Sequence, residues 1–421
     1  MGEALLRCGG CRSVGYCGGR CRQTHWDTHR SSCERIQAEK LKLALLETGY
    51  QSVHFACHSG DLEAVRNLVA AGADVAAADE DGTPVMAAAL ADAADVVAFL
   101  ADKGANLDLG DIEEGVTPTF IAAAMGHTEV VRVLVDRGAN PEGNEAEGDM
   151  EGLTPLIAAA SEGYAEIVRH LTSPGVGVDV NRAGGSGESA VYCAAQNGHI
   201  EVVKCLAERG ADLDQVDGED ERAVPLHPAA SQGYLDVVRV LGEHGANLDA
   251  QQTDGQTPSF MAAWNGHVGC LQYLAEAGAQ IDLPQGQGVA PVMGAASRGH
   301  MHVVQFLARQ GVELARETID GQSALSAARG GCHSSIARFL EAVLAAGGWR
   351  EYVADRRYDH CLIRQRVGAT YARLDPGHED RELFHGMYGR NYYYTEGEDE
   401  GPPMKVLPDE MFAYVCRFLV T

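Results

Sequence analysis

The feature that most constrains this chain is a short pattern that returns at a nearly fixed interval from Gln51 to about Gly348. Two clear copies are Thr-Pro-Thr-Phe-Ile-Ala-Ala-Ala-Met-Gly-His from Thr117 and Thr-Pro-Ser-Phe-Met-Ala-Ala-Trp-Asn-Gly-His from Thr257. The first position of the pattern returns every 33 to 37 residues, at Thr83, Thr117, Thr154, Ser189, Val224, Thr257, Ala290 and Ser323. With a unit that starts at Gln51, about nine units are expected. One such unit cannot bury its own apolar face, so the pattern predicts a stack of units.

Each unit reads as two short helices and a turn. The threonine caps the first helix, the proline occupies its first turn, the Ala-Ala pair allows a neighbouring helix to approach closely, and a glycine ends the helix. A stripe such as Val202-Val203-x-x-Leu206 has the spacing of a second helix buried along one side. A second glycine ends this helix, and pairs such as Asp254-Gly255 indicate a hairpin between units. The pattern resembles the ankyrin repeat, which implies an all-α repeat solenoid, a helix-turn-helix array with β-hairpin loops.

The first 33 residues hold cysteine and histidine at metal-ligand spacing. The order is Cys8-x2-Cys11, then Cys17-x3-Cys21-x7-His29-x3-Cys33. Thiolate and imidazole at such short spacings are what tetrahedral Zn²⁺ requires, and a segment this small has no core in which to bury cysteines as apolar fillers. The run from Tyr16 to Cys33 looks like the MYND zinc finger. The predicted fold is therefore a repeat array preceded by a small zinc-stabilised module.

The MYND resemblance implies four ligand pairs on two zinc ions, whereas only three pairs are found here. By position, Cys8 and Cys11 match the second pair of the family, so that Cys8, Cys11, His29 and Cys33 close one site. Cys17 and Cys21 are then left with two ligands. Either the start of the chain is truncated, which is the interpretation we favour, or His25 and another group complete a poorer site.

The family resemblance also implies where partners bind. MYND fingers are associated with short proline-containing peptides, bound over a surface where this chain has Trp26 and, in place of the family's glutamine, Arg22. Trp26 can equally be a packing residue. Ankyrin repeats meet proteins on their concave side, through hairpin tips and the two residues between Ala-Ala and Gly. Those pairs are Ala124-Met125, Ser161-Glu162, Gln196-Asn197, Ser231-Gln232, Trp264-Asn265 and Ser297-Arg298.

Trp264 is the strongest candidate in these pairs, because interface energy concentrates in aromatic and arginine anchors. The alternative is that Trp264 packs on its neighbours within the stack. The recurrent Gly-His pairs at His127, His199, His267 and His300 could suggest metal binding. We interpret them as residues at helix starts instead, because they recur at one place in the unit, beside a turn.

Charge and cysteine usage exclude several classes of protein. The formal net charge is −27, which disfavours binding to a nucleic-acid backbone. No apolar run approaches the 18 residues needed to span a membrane, and the start lacks the apolar core of a signal peptide. The cysteines outside the finger are scattered singly, which is not the pattern of a disulfide scaffold. We therefore expect an intracellular protein, of the cytoplasm, the nucleus or both, without membrane partners.

The predicted domains are a MYND-like finger over residues 1–36, a linker helix over 37–50, the repeat array over 51–348, and a C-terminal region over 349–421. In the last region we expect a basic capping helix from Trp349 to Ala372, an acidic linker and an amphipathic end helix. The Leu407-Pro-Asp-Glu start of this end helix faintly resembles the start of an F-box.

The sequence predicts a non-enzymatic protein-interaction scaffold or adaptor that binds Zn²⁺. Outside the finger it contains no Gly-rich cofactor loop, nucleophile–base arrangement or catalytic zinc motif. One alternative is a substrate-recognition adaptor of a ubiquitin ligase, with residues 349–421 docking the ligase. Another is a protein associated with methyl transfer, because MYND fingers occur within methyltransferases.

Overall fold

A computed structural model describes residues 6–7, 15–16, 42–43, 52–78, 82–110, 115–143, 152–185, 187–217 and 222–354. The chain divides into two compact units, Met1–Ala337 and Arg338–Thr421. The first unit holds a short antiparallel pair, β1 (Leu6–Arg7) and β2 (Gly15–Tyr16), in which Leu6 lies opposite Tyr16 and Arg7 opposite Gly15. Of the predicted linker helix, Lys42 and Leu43 are described, and both are helical.

Most of the described chain consists of helices in consecutive pairs. The first helices of the pairs are α1 (Val53–His58), α3 (Pro84–Leu90), α5 (Pro118–Met125), α7 (Pro155–Glu162), α9 (Ala190–Asn197), α11 (Leu226–Gln232), α13 (Pro258–Asn265), α15 (Pro291–Arg298) and α17 (Ala324–Gly330). The second helices are α2 (Leu62–Ala71), α4 (Ala94–Asp102), α6 (Thr128–Asp136), α8 (Ala165–Leu171), α10 (Ile200–Glu208), α12 (Leu235–Glu243), α14 (Val268–Glu276), α16 (Met301–Gln310) and α18 (Ser334–Ala346).

These helices form two layers. Each first helix contacts the first helix of the next pair along the whole series from α1 to α17, and the second helices from α2 to α16 do the same. Three isolated antiparallel bridges mark the hairpins between pairs, namely Ala183 with Ser189, Asp217 with Ala223, and Glu317 with Ser323. The expected helical repeat fold is thus confirmed.

The caps form largely as the sequence predicts. At Thr83, Thr117, Thr154, Ser189, Thr257 and Ser323 the side-chain oxygen accepts a hydrogen bond from the backbone N–H three residues later. Such a cap satisfies one N–H that the first turn of a helix leaves without a partner, and losing it costs about 1 kcal/mol. Two units depart from this rule, because Val224 and Ala290 have no side-chain acceptor to offer.

The core lies between the two layers. The Ala-Ala pairs of the first helices are fully buried, as are the Val-Val-x-x-Leu stripes of the second helices; in α13 and α12, for example, these are Ala262 with Ala263, and Val237, Val238 and Leu241. Small residues on one layer let the larger side chains of the other fill the space between them. The sequence period predicts this burial correctly.

Hydrogen bonds also join successive hairpins. Carboxylate or amide oxygens of one hairpin accept from a backbone N–H of the next, as in Asn140 N–H to Asp108 (2.7 Å), Asn247 N–H to Asp214 (2.8 Å) and Gln280 N–H to Asp249 (2.8 Å). Part of the acidic character of the chain therefore satisfies backbone donors between repeats, since an ionised carboxylate is a strong acceptor for N–H groups.

In the second unit the described residues are 338–354. They comprise the end of α18, a turn at Gly347 and Gly348, and a helical stretch over residues 349–354. Three aromatic rings meet there: the ring of Tyr352 lies edge-on to Phe339 at 5.8 Å between centroids, and 5.7 Å from Trp349. The remainder of the predicted capping helix, the acidic linker and the end helix lie outside the described residues.

Candidate functional site

The predicted contact residues of the array lie at the ends of the first helices. We call this set the helix-end row: the last two residues of α5, α7, α9, α11, α13 and α15. Each of these helices is followed by a glycine in the left-handed conformation, at Gly126, Gly163, Gly198, Gly233, Gly266 and Gly299. Within the row Gln196, Asn197, Gln232 and Arg298 are exposed, whereas Ser231, Trp264, Asn265 and Ser297 are half-buried.

The two asparagines of the row bind to the preceding repeat. The Asn197 side-chain amide donates to the carbonyl oxygen (3.0 Å) and the hydroxyl (3.3 Å) of Ser161. The Asn265 amide donates to the Ser231 hydroxyl (3.0 Å) and to the Met261 carbonyl (3.2 Å). These side chains are therefore already fixed by hydrogen bonds inside the array, which reduces the entropy that a bound partner would cost.

The recurrent histidines follow the turns that end the first helices, and they hold neighbouring repeats together. Nε2 of His199 and of His267 lies 2.9 Å from the backbone oxygen of Ser161 and of Ser231, and Nε2 of His333 lies 3.2 Å from that of Ser297. A carbonyl oxygen only accepts, so each Nε2 carries the proton and donates. The histidines occupy the N-cap positions expected of residues at helix starts, but their side chains make no cap bond there.

The glycine that ends each of the first helices α5 to α15 gives room to a histidine or tyrosine ring from the next repeat. A Cβ atom built on Gly233 would lie 2.4 Å from Nδ1 of His267, and one on Gly266 would lie 2.6 Å from Nδ1 of His300. Both glycines also have positive φ, at 80° and 86°. Glycine is therefore required for two reasons. The backbone has positive φ, and a ring of the next repeat occupies the space that a side chain would need.

Trp264 lies between its own helix and the next repeat. Its ring stacks on Phe260 at 5.8 Å between centroids with an interplanar angle of 23°, and the Cζ atom of Arg298 sits 4.7 Å from the ring centroid. A Cβ on Gly294 would come within 2.9 Å of the indole, so the absence of a side chain at Gly294 makes space for it. Trp264 thus makes contacts within the stack while remaining half-exposed, and its assignment to an interface stays a prediction.

The N-terminal candidate is the metal site. The strands β1 and β2 pair with each other, Cys8 and Cys11 stand between them in the sequence, and Cys17 directly follows β2. Among the candidate residues of the finger, the predicted ligands Cys8, Cys11, Cys17, Cys21, His29 and Cys33 and the predicted peptide-binding residues Arg22 and Trp26 all lie outside the described residues. Their donor atoms, five thiolates and an imidazole, are the ligand types that Zn²⁺ takes.

Comparison with known families identifies both regions. The family described as ankyrin repeats (3 copies) matches residues 53–145 and 142–217, and the family described as ankyrin repeats (many copies) matches residues 226–275. The MYND finger family matches residues 2–33. The chain is an ankyrin-repeat protein with an N-terminal MYND finger.

This assignment confirms the resemblance inferred from the repeat and from the cysteine spacing. The MYND finger is a zinc-binding domain, and both families are typically interaction modules without catalytic activity. The helix pairs α15/α16 and α17/α18 lie beyond the matched ranges, yet they have the same build as the pairs before them.

Sequence reasoning missed one buried residue of the ankyrin array. His227 is fully buried at the start of α11, in a unit that lacks the threonine cap: Nδ1 accepts from the N–H of Val224 (3.1 Å), and Nε2 donates to the carbonyls of Ala250 and Gln256 (both 3.1 Å). Burial lowers the pKa of His227 below its usual value. The signal was available, since Val224 cannot cap a helix and a histidine stands three residues after it.

In the described part of the ankyrin-repeat protein, no helix is both long and apolar enough to cross a membrane. In the same residues, no group of three or more His, Cys, Asp or Glu side chains is placed to hold a metal ion.

Proposed function

We propose that this ankyrin-repeat protein is a non-enzymatic, intracellular scaffold that holds two protein partners, one on the helix-end row and one on the MYND finger. The observation that carries the proposal is the row itself. Consecutive repeats contribute exposed polar side chains to it, together with Trp264. The side chains of Asn197 and Asn265 are fixed by hydrogen bonds to the preceding repeat. Two binding modules on one chain gain affinity through effective concentration when both partners belong to one assembly.

Rigid presentation supports the row as a recognition surface. Its residues sit on the last turn of helices whose ends are fixed by glycine turns, and four of these helices, α5, α7, α9 and α13, also have capped starts. Partners therefore meet side chains that lose little freedom on binding, and aromatic anchors in such surroundings account for much of interface affinity. We propose Trp264 as the main anchor, with Asn265, Gln196, Asn197, Ser231, Gln232, Ser297 and Arg298 as surrounding contacts.

For the finger, we propose that Cys8, Cys11, His29 and Cys33 hold one Zn²⁺, and that Cys17 and Cys21 belong to a second site. The support is the donor set and the β1/β2 pair, between whose strands Cys8 and Cys11 stand in the sequence. Zinc bound by such short segments contributes on the order of 10–16 kcal/mol, so the finger should fold only with metal. Trp26 and Arg22 would then offer the surface for a proline-containing peptide.

The zinc proposal is tested by metal analysis of the full chain. We expect at least one tightly bound zinc, less metal in Cys33→Ser, and a helical circular dichroism signal that survives chelation, because each repeat is stabilised by its neighbours and not by the finger. A zinc content that Cys33→Ser does not change would rule out this ligand set.

The scaffold proposal is tested by affinity purification with the full chain in three forms: wild type, Trp264→Ala and Cys33→Ser. We expect each variant to lose a different group of associated proteins. Once a partner is known, Trp264→Ala should weaken its binding by roughly 2 kcal/mol or more, about thirtyfold. A Trp264→Ala protein that melts much earlier but binds normally when folded would place Trp264 in the stack instead. Recovery of ubiquitin-ligase subunits that depends on residues 349–421 would favour the alternative adaptor function.

A further inference from the structure

The helix-end row carries very little charge. Of its twelve positions only Glu162, at the end of α7, and Arg298, at the end of α15, are ionised at neutral pH, and the positions between them are uncharged. The whole chain has 60 acidic residues against 33 Lys and Arg. The exposed Arg298 is therefore the one positively charged side chain of the row. The groups that contact it decide whether its charge is available to a binding partner.

Several other arginines of the array are paired with a carboxylate. Arg182 pairs with Glu142 (3.1 Å), Arg316 pairs with Asp282 (3.2 Å), and Arg137 pairs with Asp102. Among the described residues, Arg298 contacts the ring of Trp264 and no carboxylate. Its positive charge is thus not compensated by a neighbour in the described array.

The position of Arg298 is fixed from two sides. It is the last residue of α15, followed by Gly299 in the left-handed conformation, and its guanidinium lies over an indole that is itself held by Phe260 and by the space at Gly294. A guanidinium over a ring is attracted by the ring face as a cation, and its N–H donors stay available for hydrogen bonds. Such donors can bind a carboxylate through two parallel hydrogen bonds.

The electrostatic surroundings are consistent with an uncompensated charge. His300, which lies in the turn after α15, has a lowered pKa, chiefly because of burial. The charges of Arg298, His267 and His333 lower it further. A neighbouring carboxylate would act in the opposite direction on this imidazole.

We propose that Arg298, held over Trp264, is the receptor for an acidic side chain, Asp or Glu, in the protein segment that the helix-end row binds. The inference rests on the proposed function, and it adds the chemistry of one partner residue. The long-range field of an acidic protein disfavours acidic partners, so this contact acts at short range and selects where the acid lies in the segment.

The test uses a phage library of random 12-residue peptides, selected on the immobilised full chain. With wild type we expect the selected pool to be enriched in Asp or Glu at one position of a shared motif. Arg298→Gln should lose that preference, and Arg298→Glu should replace it with Lys or Arg. Arg209→Gln removes an equally exposed arginine at the end of α10, outside the row, and should leave the preference unchanged.

A double-mutant cycle with one selected peptide measures the contact itself. Changing the peptide acid to its amide should weaken binding to wild type roughly tenfold or more and should change binding to Arg298→Gln little, because the charge-assisted pair is already lost. Arg298→Lys keeps the charge without the planar fork and should lie between the two. This variant also serves as the folded comparison if Arg298→Gln melts early.

The outcomes separate the inference from the proposed function. Peptides that bind without an acid preference, or whose acid matters equally in wild type and in Arg298→Gln, would overturn the role of Arg298 and leave the row as a binding surface. A library from which the wild-type chain selects no peptide at all would count against both.

Discussion

Two kinds of turn follow the first helices of the repeats. In seven of the nine a glycine is left-handed: Gly60 with φ of 68°, and Gly126, Gly163, Gly198, Gly233, Gly266 and Gly299 with φ between 79° and 87°. At the equivalent position after α3 and after α17 stand Asp92, with φ of 57°, and Cys332, with φ of 61°. The left-handed conformation costs a residue with a Cβ about 1–2 kcal/mol, so the two turns without glycine carry a strain that the seven do not.

The backbone of both kinds of turn is nevertheless closed in the same way. The N–H of the residue after the turn donates to the carbonyl five residues earlier, as in His267 to Ala262 (2.8 Å), Ala93 to Ala88 (3.0 Å) and His333 to Ala328 (2.8 Å). The same local backbone hydrogen bond therefore closes the turn whether or not glycine is present. Glycine lowers the cost of the left-handed conformation, but Asp92 and Cys332 adopt it as well.

The two kinds of turn differ in how the side chains of the next repeat lie against them. At Gly233 and Gly266 a Cβ would collide with a histidine ring. Cys332 is exposed, and at Asp92 the ring of His127 lies beside the carboxylate, with Nδ1 at 3.6 Å from Oδ1. In the described residues Nε2 of His127 finds no acceptor, unlike Nε2 of His199 or His267. Glycine is thus needed where a ring must enter the turn.

The largest effect that this comparison predicts is for Gly266→Ala. The new methyl group meets the His300 ring in addition to the unfavourable φ of 86°, and overpacking typically adds 1–3 kcal/mol to the conformational cost. We expect the free energy of unfolding, measured by urea denaturation of the full chain, to fall by about 3 kcal/mol.

Gly278→Ala is the matched control for that experiment. Gly278 also has positive φ, at 92°, but a Cβ there would meet nothing within 4 Å. Its replacement should cost only the conformational part, about 1–2 kcal/mol. Equal losses for the two variants would mean that the neighbouring ring does not require the glycine.

An intermediate effect is expected for Cys332→Gly, which removes strain where no ring enters. The full chain should become more stable by up to about 1 kcal/mol, less than the strain itself because glycine also gains freedom in the unfolded chain. Cys332→Ala keeps the Cβ and should change stability little. A destabilised Cys332→Gly protein would indicate that the Cys332 side chain stabilises the last turn.

The smallest expected effect is on the pH dependence of stability, through the His300 ring that lies against Gly266. The pKa of His300 is lowered in the folded chain, mainly by burial, so its neutral form is favoured by folding. That contribution is complete above the unfolded value of about 6.5 and is lost as the pH falls below it. His300→Tyr introduces the ring found at the equivalent positions Tyr164 and Tyr234 and removes the titration.

The measurement is the urea midpoint of both proteins between pH 8 and pH 5. We expect parallel behaviour above pH 7 and a smaller loss for His300→Tyr below it. The variant should keep part of the pH dependence, because the buried His227 also has a lowered pKa. Identical curves at pH 5 would show that His300 does not couple protonation to folding.

The local parts of the fold could be predicted from the sequence. Thr117 and Thr257 cap the helices that follow them, and the stripe Val237-Val238-x-x-Leu241 is buried, because capping and helical periodicity act over a few residues along the chain. The cysteine spacing likewise identified the MYND family. The zinc ligands themselves stay predictions, since they lie outside the described residues.

The candidate site was predictable only in part. The position of the helix-end row followed from the repeat, but the hydrogen bonds of Asn197 and Asn265 join residues from different repeats, and the buried His227 donates to carbonyls more than 20 residues away. A short-range pattern contains no information about which side chains meet across two stacked helices.

The sequence by itself determined the repeat, its helix boundaries and its buried stripes, because each depends on contacts a few residues apart. Only the tertiary structure decided that Trp264 fills the space at Gly294 and lies under Arg298, and that glycine turns admit the histidines of the next repeat. These arrangements depend on the register between neighbouring repeats. That register is set by the packing of whole helices, and it brings together residues about one repeat length apart.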